Sequence, residues 1–311
     1  MNQLFNIINI PMGWVLRFIA SAFNGNFAAS VFVFTVLINL AFIPLTIKSQ
    51  KSAVQQTRIK PKLDALKQKY GDDKQKYSQA MQQLYQEENV SMSGGCLPMI
   101  FRLVIMMSIY WLLISPITYL MDVDADVIAK ATEALKEAGI SIVGRGRSSG
   151  ELQVIGAVLS GKISSPEIFE AAKSINFNFF GINLTEQPEF SFNIFGEFQK
   201  IWIMPILAFA SQILSSLLSM RMQKKTNPDA PSMAGMMLTM PLISLWIGFT
   251  LPGGVTFYWA CSSLIGGLIQ IAVQQLYGPH KLLSKEREKE LVKQCDFEAG
   301  QIAKFSAKDE D

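Results

Sequence analysis

Residues 201–220 read IWIMPILAFASQILSSLLSM, which is twenty consecutive residues without a charged side chain. An α-helix rises about 1.5 Å per residue and the hydrocarbon core of a bilayer is about 30 Å thick, so a segment of this length can cross it. The stretch therefore predicts a transmembrane helix. Its polar residues Gln212, Ser215, Ser216 and Ser219 recur at helical spacing, which predicts that one face of this helix is polar.

Four further apolar segments predict a total of five spans, and no Asp or Glu lies inside any of them. The spans are residues 28–47, 98–121, 201–220, 234–251 and 255–276. The segments between and after them are 48–97, 122–200, 221–233 and a tail, 277–311. Residues 1–27 begin without the basic stretch of a signal peptide, so they predict a helix lying along the outer membrane surface.

The composition supports a membrane protein and argues against most catalytic classes. Half of the residues are hydrophobic and 17% are charged, against roughly 25% in soluble domains. The net charge of +3 gives no sign of a nucleic-acid-binding protein. One His and three scattered Cys form no metal-ligand pattern, so we expect no metal, no cofactor and no enzyme.

Basic residues predict the orientation of the spans, because Lys and Arg concentrate in cytoplasmic connections. Segments 48–97 and 221–233 and the tail hold 19 Lys and Arg together, whereas the segments on the other side hold 8. We therefore expect an outer N-terminus and a cytoplasmic C-terminus.

Segment 48–97 predicts a helical hairpin, with Gly71-Asp72-Asp73 between its two arms and Pro61 as a point where the first arm kinks. Met81 and Tyr85 lie on the apolar face of the second arm. The hairpin is either a solvated element or a basic arm that touches ribosome, lipid headgroups or an incoming chain. Met233 and Met237 belong to a methionine cluster that suits either a first contact for apolar segments or packing against lipid.

The outer segment 122–200 predicts two short helices, at 126–138 and 166–174, with a flexible break at 144–150. It shows no catalytic arrangement, because it has neither His nor Cys.

Polar residues inside the spans offer two interpretations. They are Thr35, Asn39 and Thr46 in the first span, the stripe in the third, and Thr256, Ser263, Gln270 and Gln274 in the fifth. Such side chains either join helices by hydrogen bonds or line a shared hydrated cavity. Arg102, the one charge within the spans, either reaches back to the cytoplasmic interface or faces such a cavity.

Several short motifs follow one another in a recognisable order. They are IPLT at 43–46, QQ at 55–56, KPK at 60–62, GDD at 71–73, GGCLP at 94–98, FFGINL at 179–184 and LPGGVTFYW at 251–259. With the five-span pattern and the hairpin, they resemble the YidC/Oxa membrane protein insertases over about residues 5–278.

The resemblance implies an all-α polytopic membrane protein with five transmembrane helices around a cytoplasm-open hydrophilic groove. It further implies a cytoplasmic helical hairpin and an N-terminal interfacial helix. Such a protein receives a hydrophobic segment, holds its polar flank in the groove and releases the segment sideways into lipid, without covalent chemistry. The residues expected in the groove are Arg102, Asn39, Thr35, Gln212, Ser216, Trp259 and Ser263. Those expected to make cytoplasmic contacts are Met81, Tyr85, Met233 and Met237.

The sequence departs from the family pattern at three groove positions. Asn39 stands where the family usually places an Arg, Arg102 where it often has a Gln, and Ser263 where it often has an Asn. We interpret this as a groove cation that has moved from the first span to the second.

The expected partners are nascent membrane proteins and the lipid bilayer, with the ribosome and the Sec translocon as further candidates, and the expected functional state is a monomer. The chain resembles plasma-membrane members of the Gram-positive sort, because it shows neither a large outer N-terminal domain nor a transit peptide, although it has no lipid-anchor Cys near its start. The alternative function is a small-solute transporter or channel. It is weakened by the absence of intramembrane carboxylates.

Overall fold

A computed structural model of the chain describes residues 2–91, 97–140, 149–188, 199–226 and 234–278, together with 284, 288, 291–292, 294–295 and 297–299. The described residues are mostly helical. The chain forms two compact units. The first contains Met1–Phe42, Ile100–Arg221 and Pro231–Ile269, and the second contains Ile43–Met99, Met222–Ala230 and Gln270–Asp311.

Twelve α-helices lie within the described residues. They are α1 Asn2–Ala22, α2 Phe27–Ala41, α3 Ile43–Tyr70, α4 Lys74–Glu87, α5 Leu97–Ile114, α6 Pro116–Tyr119, α7 Ala125–Glu137, α8 Ser149–Leu159, α9 Pro166–Lys173, α10 Ile203–Thr226, α11 Ala234–Gly248 and α12 Gly253–Tyr277. A 3-10 turn, Lys200–Trp202, leads into α10. Strands β1 (Asn178–Phe179) and β2 (Ile182–Asn183) pair antiparallel as a short hairpin.

Proline divides the first two predicted spans. Helix α2 ends at Ala41, two residues before the Ile43-Pro44 pair, and residues 43–47 open the next helix instead. Helix α5 ends at Ile114 and α6 begins at Pro116. In both places the proline has no N–H to continue the hydrogen bonds of the preceding helix. Ser115, the residue before Pro116, is also non-helical, as a following proline favours.

Among the described residues, two helices are long and apolar enough to cross a membrane, Lys200–Met222 and Gly253–Tyr277. A third is added if α2 and α3 count together as one span. The predicted second and fourth spans contain shorter apolar helices, Leu103–Ile114 and Thr239–Gly248. The structure therefore shows a helical membrane protein, and the five-span arrangement stays a prediction.

In the second unit, α3 and α4 form the hairpin that the sequence predicts. Asp73 caps α4, because its carboxylate accepts from the amides of Gln75 and Lys76. Glu88 at the end of α4 forms ion pairs with Arg58 and Lys62 of α3. Pro61 lies inside α3 without ending it.

Three helices lie in the described part of segment 122–200. Helices α7, α8 and α9 pack together, and their residues Leu135, Ile155 and Ile168 are fully buried in the hydrophobic core of the first unit. Helices α7 and α9 match the predictions, whereas α8 was not predicted, because Gly150, Gly156 and its β-branched residues are poor helix formers. The predicted break at 144–150 lies mainly outside the described residues.

Segment 174–186 ties the beginnings of α2 and α12 together. The amide of Phe27 donates to the Asn176 carbonyl over 3.0 Å, and that of Asn176 donates to the Gly25 carbonyl over 2.8 Å. The amides of Gly253 and Gly254 donate to the carbonyls of Glu186 and Leu184 over 2.9 and 2.8 Å. These bonds satisfy N–H groups that a helix start leaves unpaired and place both helix starts at one level.

Candidate functional site

All seven residues expected in the groove belong to the first unit, so they can be compared within one compact body. Thr35 and Asn39 lie on α2, Arg102 on α5, Gln212 and Ser216 on α10, and Trp259 and Ser263 on α12.

Helices α10 and α12 are in close contact through small residues. The Ser215 hydroxyl donates to the Ser263 carbonyl over 2.8 Å. A Cβ on Gly267 would lie 2.5 Å from the Ser215 Oγ, so only glycine fits there without a shift. Ser215 and Ser263 therefore act as a helix contact, which is the first of the two interpretations of the polar stripes.

Gln212 and Ser216 behave differently from Ser215, although they belong to the same stripe. Both side chains are half-buried on α10, and neither has a hydrogen bond to another described residue. An amide or hydroxyl without a partner costs several kcal/mol in hydrocarbon. On a helix able to span a membrane, these two side chains are therefore available to water or a polar ligand.

The polar groups of α2 are partly used by their own helix. Thr35 is fully buried, and its hydroxyl donates to the Val31 carbonyl over 2.6 Å. The half-buried Asn39 donates its Nδ2 to the Thr35 carbonyl over 2.8 Å, which leaves Oδ1 to accept from another group. Asn39 is therefore half-buried with a free acceptor, whereas Thr35 packs in the interior.

Arg102 lies near the start of α5, and its side chain is outside the described part of the structure. Its neighbour Phe101 contacts Phe42, the residue after α2, with ring centroids 5.8 Å apart. The end of α2 and the start of α5 are therefore adjacent. Because Asn39 is three residues from Phe42, Asn39 and Arg102 occupy neighbouring helix ends.

Trp259 is half-buried and packs against the hydrophobic core, one helical turn before Ser263. The role of Ser215 as a helix contact was not predicted from the sequence. Serine and glycine on the fifth predicted span could have indicated it, because small residues are typical of closely packed membrane helices.

The fifth span continues into the second unit with a separate polar group. There the Gln270 amide donates to Gln50 of α3 over 3.3 Å. The Gln274 Oε1 is buried and has no partner among the described residues. Gln270 and Gln274 therefore belong to the second unit, whereas the groove candidates belong to the first.

The expected cytoplasmic contact residues are only partly described. Met81 and Tyr85 are half-buried on α4, as their place on its apolar face predicts. Met233 lies outside the described residues, and for Met237 the structure describes the helix position in α11 but not the side chain.

Two carboxylates stabilise the end of the second predicted span and the outer segment. Asp122 pairs with Arg17 of α1, and this guanidinium lowers the pKa of the Asp122 carboxyl. Glu151 of α8 is buried, and its carboxylate accepts from the Thr118 amide over 3.0 Å and the Thr118 hydroxyl over 2.7 Å. Burial raises the pKa of Glu151, and these hydrogen bonds oppose the rise.

Over residues 18–280, the chain matches a family model described as 60Kd inner membrane protein. The chain belongs to this family, the YidC/Oxa1 family. The resemblance drawn from the short motifs is therefore confirmed. Within the described residues, no group of three or more His, Cys, Asp or Glu could hold a metal ion.

Curated relatives of this family share one region with the chain. Proteins named membrane protein insertase YidC are 41% identical over 107 residues in Pseudomonas paraeruginosa strain PA7 and 40% identical over 107 residues in Stutzerimonas stutzeri strain A1501. The relative from Pseudomonas fluorescens strain Pf-5 is 42% identical over 107 residues. The matched region is 34% of this chain and spans only 18 to 19% of the relatives' length.

Proposed function

We propose that the chain is a membrane protein insertase and chaperone. It receives hydrophobic segments of nascent membrane proteins, holds their polar flanks in a hydrophilic groove and releases the segments laterally into the bilayer. Membership in the YidC/Oxa1 family and the printed name of the relatives support this function. Neither supports the alternative, a small-solute transporter or channel.

The observation that carries the proposal is the unpaired polar pair on α10. Gln212 and Ser216 are half-buried on a helix that can cross a membrane, without hydrogen bonds to described residues. Water in a groove would satisfy them, and so would the polar flank of a substrate. The backbone bonds of segment 174–186 across the starts of α2 and α12 support a groove that is closed at that end.

The groove acts by lowering the cost of moving polar groups into the membrane. A peptide or side-chain amide without a partner in hydrocarbon costs several kcal/mol, whereas burial of apolar surface is favourable in proportion to its area. A groove that supplies donors and acceptors to the polar flank removes part of this cost. The hydrophobic segment then partitions into lipid without covalent chemistry.

Arg102 is proposed to supply the positive charge of the groove. The contact between Phe42 and Phe101 supports this, because it brings the helix ends that carry Asn39 and Arg102 together. A guanidinium in a hydrated groove would favour substrates whose translocated flank is acidic.

The orientation and the partners belong to the same proposal. The excess of Lys and Arg in 48–97, 221–233 and the tail supports an outer N-terminus and a cytoplasmic C-terminus in a bacterial plasma membrane. The hairpin and the tail would then face the ribosome, with the Sec translocon as a further partner and a monomer as the working unit.

Insertion by the purified chain tests the function. Liposomes containing the chain are given a short single-span substrate, and insertion is read by protease protection. We expect Gln212→Leu combined with Ser216→Ala to lower the insertion rate about tenfold, since 1.4 kcal/mol is a factor of ten and an unpaired polar group costs at least that much.

The matched control is Ser244→Ala on α11, where the hydroxyl donates to its own helix over 3.1 Å. This variant should insert at the rate of the unmodified chain. Solute flux without insertion would contradict the proposal and favour a transporter. Equal rates for the double variant and the control would contradict the role of the stripe.

A further inference from the structure

A cavity lies apart from the groove candidates, at the beginnings of α2 and α12. Its volume is about 540 Å³. Helix α2 contributes Ala28, Ala29 and Phe32, and α12 contributes Phe257 and Cys261. The two alanines have small side chains and so leave an open space, and phenylalanine rings surround it.

The depth of this cavity follows from the helix starts. Segment 174–186 holds the starts of α2 and α12 at one level, and Cys261 is eight residues into α12. At 1.5 Å per residue, Cys261 lies about 12 Å from the start of α12. Because α12 can cross a membrane, the cavity lies at the depth of acyl chains in one leaflet.

The lining separates an apolar interior from a polar rim. None of the described lining residues is charged, and Asn26 and Asn178 supply the amide groups. The Asn26 Oδ1 accepts from the Ala29 amide over 3.0 Å, so its Nδ2 is the group that can donate to an ester or phosphate oxygen. This pattern fits a molecule with a hydrocarbon chain and a polar end that accepts hydrogen bonds.

The cavity is open on one side and has room for a hydrocarbon chain, whose carbon contacts lie at about 4 Å.

The β1–β2 turn places an aromatic ring beside this rim. Phe180 is 91% exposed and has a φ of 48°, and its ring contacts that of Phe179 at 4.8 Å. Phe179 in turn contacts Phe257 of α12 at 4.8 Å. The positive φ values of Phe180 and Gly181 are those of a two-residue hairpin turn, which presents the Phe180 ring at the surface. Aromatic rings suit the boundary between lipid and water.

We propose that this cavity binds one acyl chain of a phospholipid from the leaflet in which α2 and α12 begin. The amides of the rim bind the ester or phosphate oxygens, and Phe180 contacts the glycerol region. The site is independent of the insertase proposal, because it requires only that the chain is a membrane protein.

Photo-crosslinking tests the site directly. The purified chain is placed in nanodiscs with a phospholipid that carries a diazirine in the middle of one acyl chain, and the adducts are mapped by peptide mass spectrometry. We expect the adducts to concentrate on Phe32, Phe257 and Cys261. Filling the cavity with Ala29→Phe should lower their yield about tenfold, which corresponds to the loss of about two buried methylene groups.

The control is Leu37→Phe, which adds a ring at an exposed position of the same helix outside the cavity and should leave the yield unchanged. Circular dichroism shows whether Ala29→Phe folds, and Cys261→Met is the second filling variant if it does not. Equal labelling of the exposed Leu214 and Leu217 on α10, unaffected by either filling variant, would overturn the proposal. Loss of the adducts on addition of a single-span polypeptide would assign the cavity to polypeptide and would also overturn it.

Discussion

At the scale of single residues, polar side chains of one stripe have different surroundings. Ser215 is bonded across to α12, whereas Gln212 and Ser216 have no partner among the described residues. Spacing along the chain puts all of them on one face, but it does not show which of them meets a neighbouring helix. The packing of Gly267 against Ser215 shows that Ser215 is the residue of this stripe that contacts a neighbouring helix.

The contact between α10 and α12 should be sensitive to one methyl group. Gly267→Ala would bring a Cβ to 2.5 Å from the Ser215 Oγ, so we expect a loss of unfolding free energy of about 1–3 kcal/mol from overpacking. Unfolding in mixed detergent micelles measures this change, and Ser215→Gly in the same chain should restore part of it.

Gly156→Ala is the matched control, since nothing lies within 4 Å of its added Cβ on α8. It should be stabilising by up to about 1 kcal/mol, because alanine is the better helix former. Equal effects at the two glycines would show that the helices are not in close contact at Gly267.

The charge at position 102 should act on substrate choice. If Arg102 faces the groove, Arg102→Ala slows insertion of substrates with acidic translocated tails about tenfold and leaves neutral tails near the original rate. Insertion of paired acidic and neutral substrates into liposomes measures the difference, and Arg102→Lys should retain most of it. Uniform loss would indicate damage to the fold, and no loss would indicate a side chain that reaches back to the interface.

At the scale of elements, prolines and glycines explain most of what the sequence predicted and missed. The hairpin, α7 and α9 follow from helix formers, caps and apolar periods. The breaks after Ala41 and Ile114 follow from Pro44 and Pro116, although hydropathy alone runs the predicted spans through both. Helix α8 and the bonds of segment 174–186 depend on contacts between distant parts of the chain, which a single sequence does not display.

The turn between α1 and α2 should tolerate no side chain at Gly25. A Cβ there would lie 2.0 Å from the Ser174 carbonyl oxygen, and the φ of +73° is unfavourable for other residues. We expect Gly25→Ala to lower the unfolding free energy by more than the 1–3 kcal/mol that such backbone strain costs. Gly161→Ala isolates the strain alone, since it has the same φ of +73° and nothing within 4 Å. Equal losses in thermal unfolding would contradict the close approach to segment 174–186.

Glu151 should make the outer segment sensitive to pH. Its pKa is raised in the folded chain because burial disfavours the charged form, so the folded state binds a proton more readily than the unfolded state. The unfolding free energy should therefore fall as the pH rises from the ordinary range of a glutamate through the raised pKa. Glu151→Gln should flatten this dependence in thermal scans, and a dependence unchanged by the variant would contradict the assignment.

At the level of the whole molecule, the proposed insertase function requires water to enter the protein from the cytoplasmic side of the membrane and not from the other side. The family and the mostly helical character were predictable from motif order and hydropathy, because both are properties of the sequence itself. Which polar side chains face the groove was not predictable, since it depends on how α2, α5, α10 and α12 pack. The central claim is a groove around Gln212 and Ser216, open to the cytoplasm and closed at the opposite end.

Thiol labelling of a single cysteine tests this claim most directly. Ser216→Cys is placed in a chain whose natural Cys96, Cys261 and Cys295 are replaced by Ser or Ala, and a membrane-impermeant maleimide is added to vesicles of either orientation. A groove open only to the cytoplasm predicts rapid labelling in inside-out vesicles and none in right-side-out vesicles. Labelling from neither side would show a dry interior, and labelling from both sides would show a pore. Either result would contradict the proposed groove.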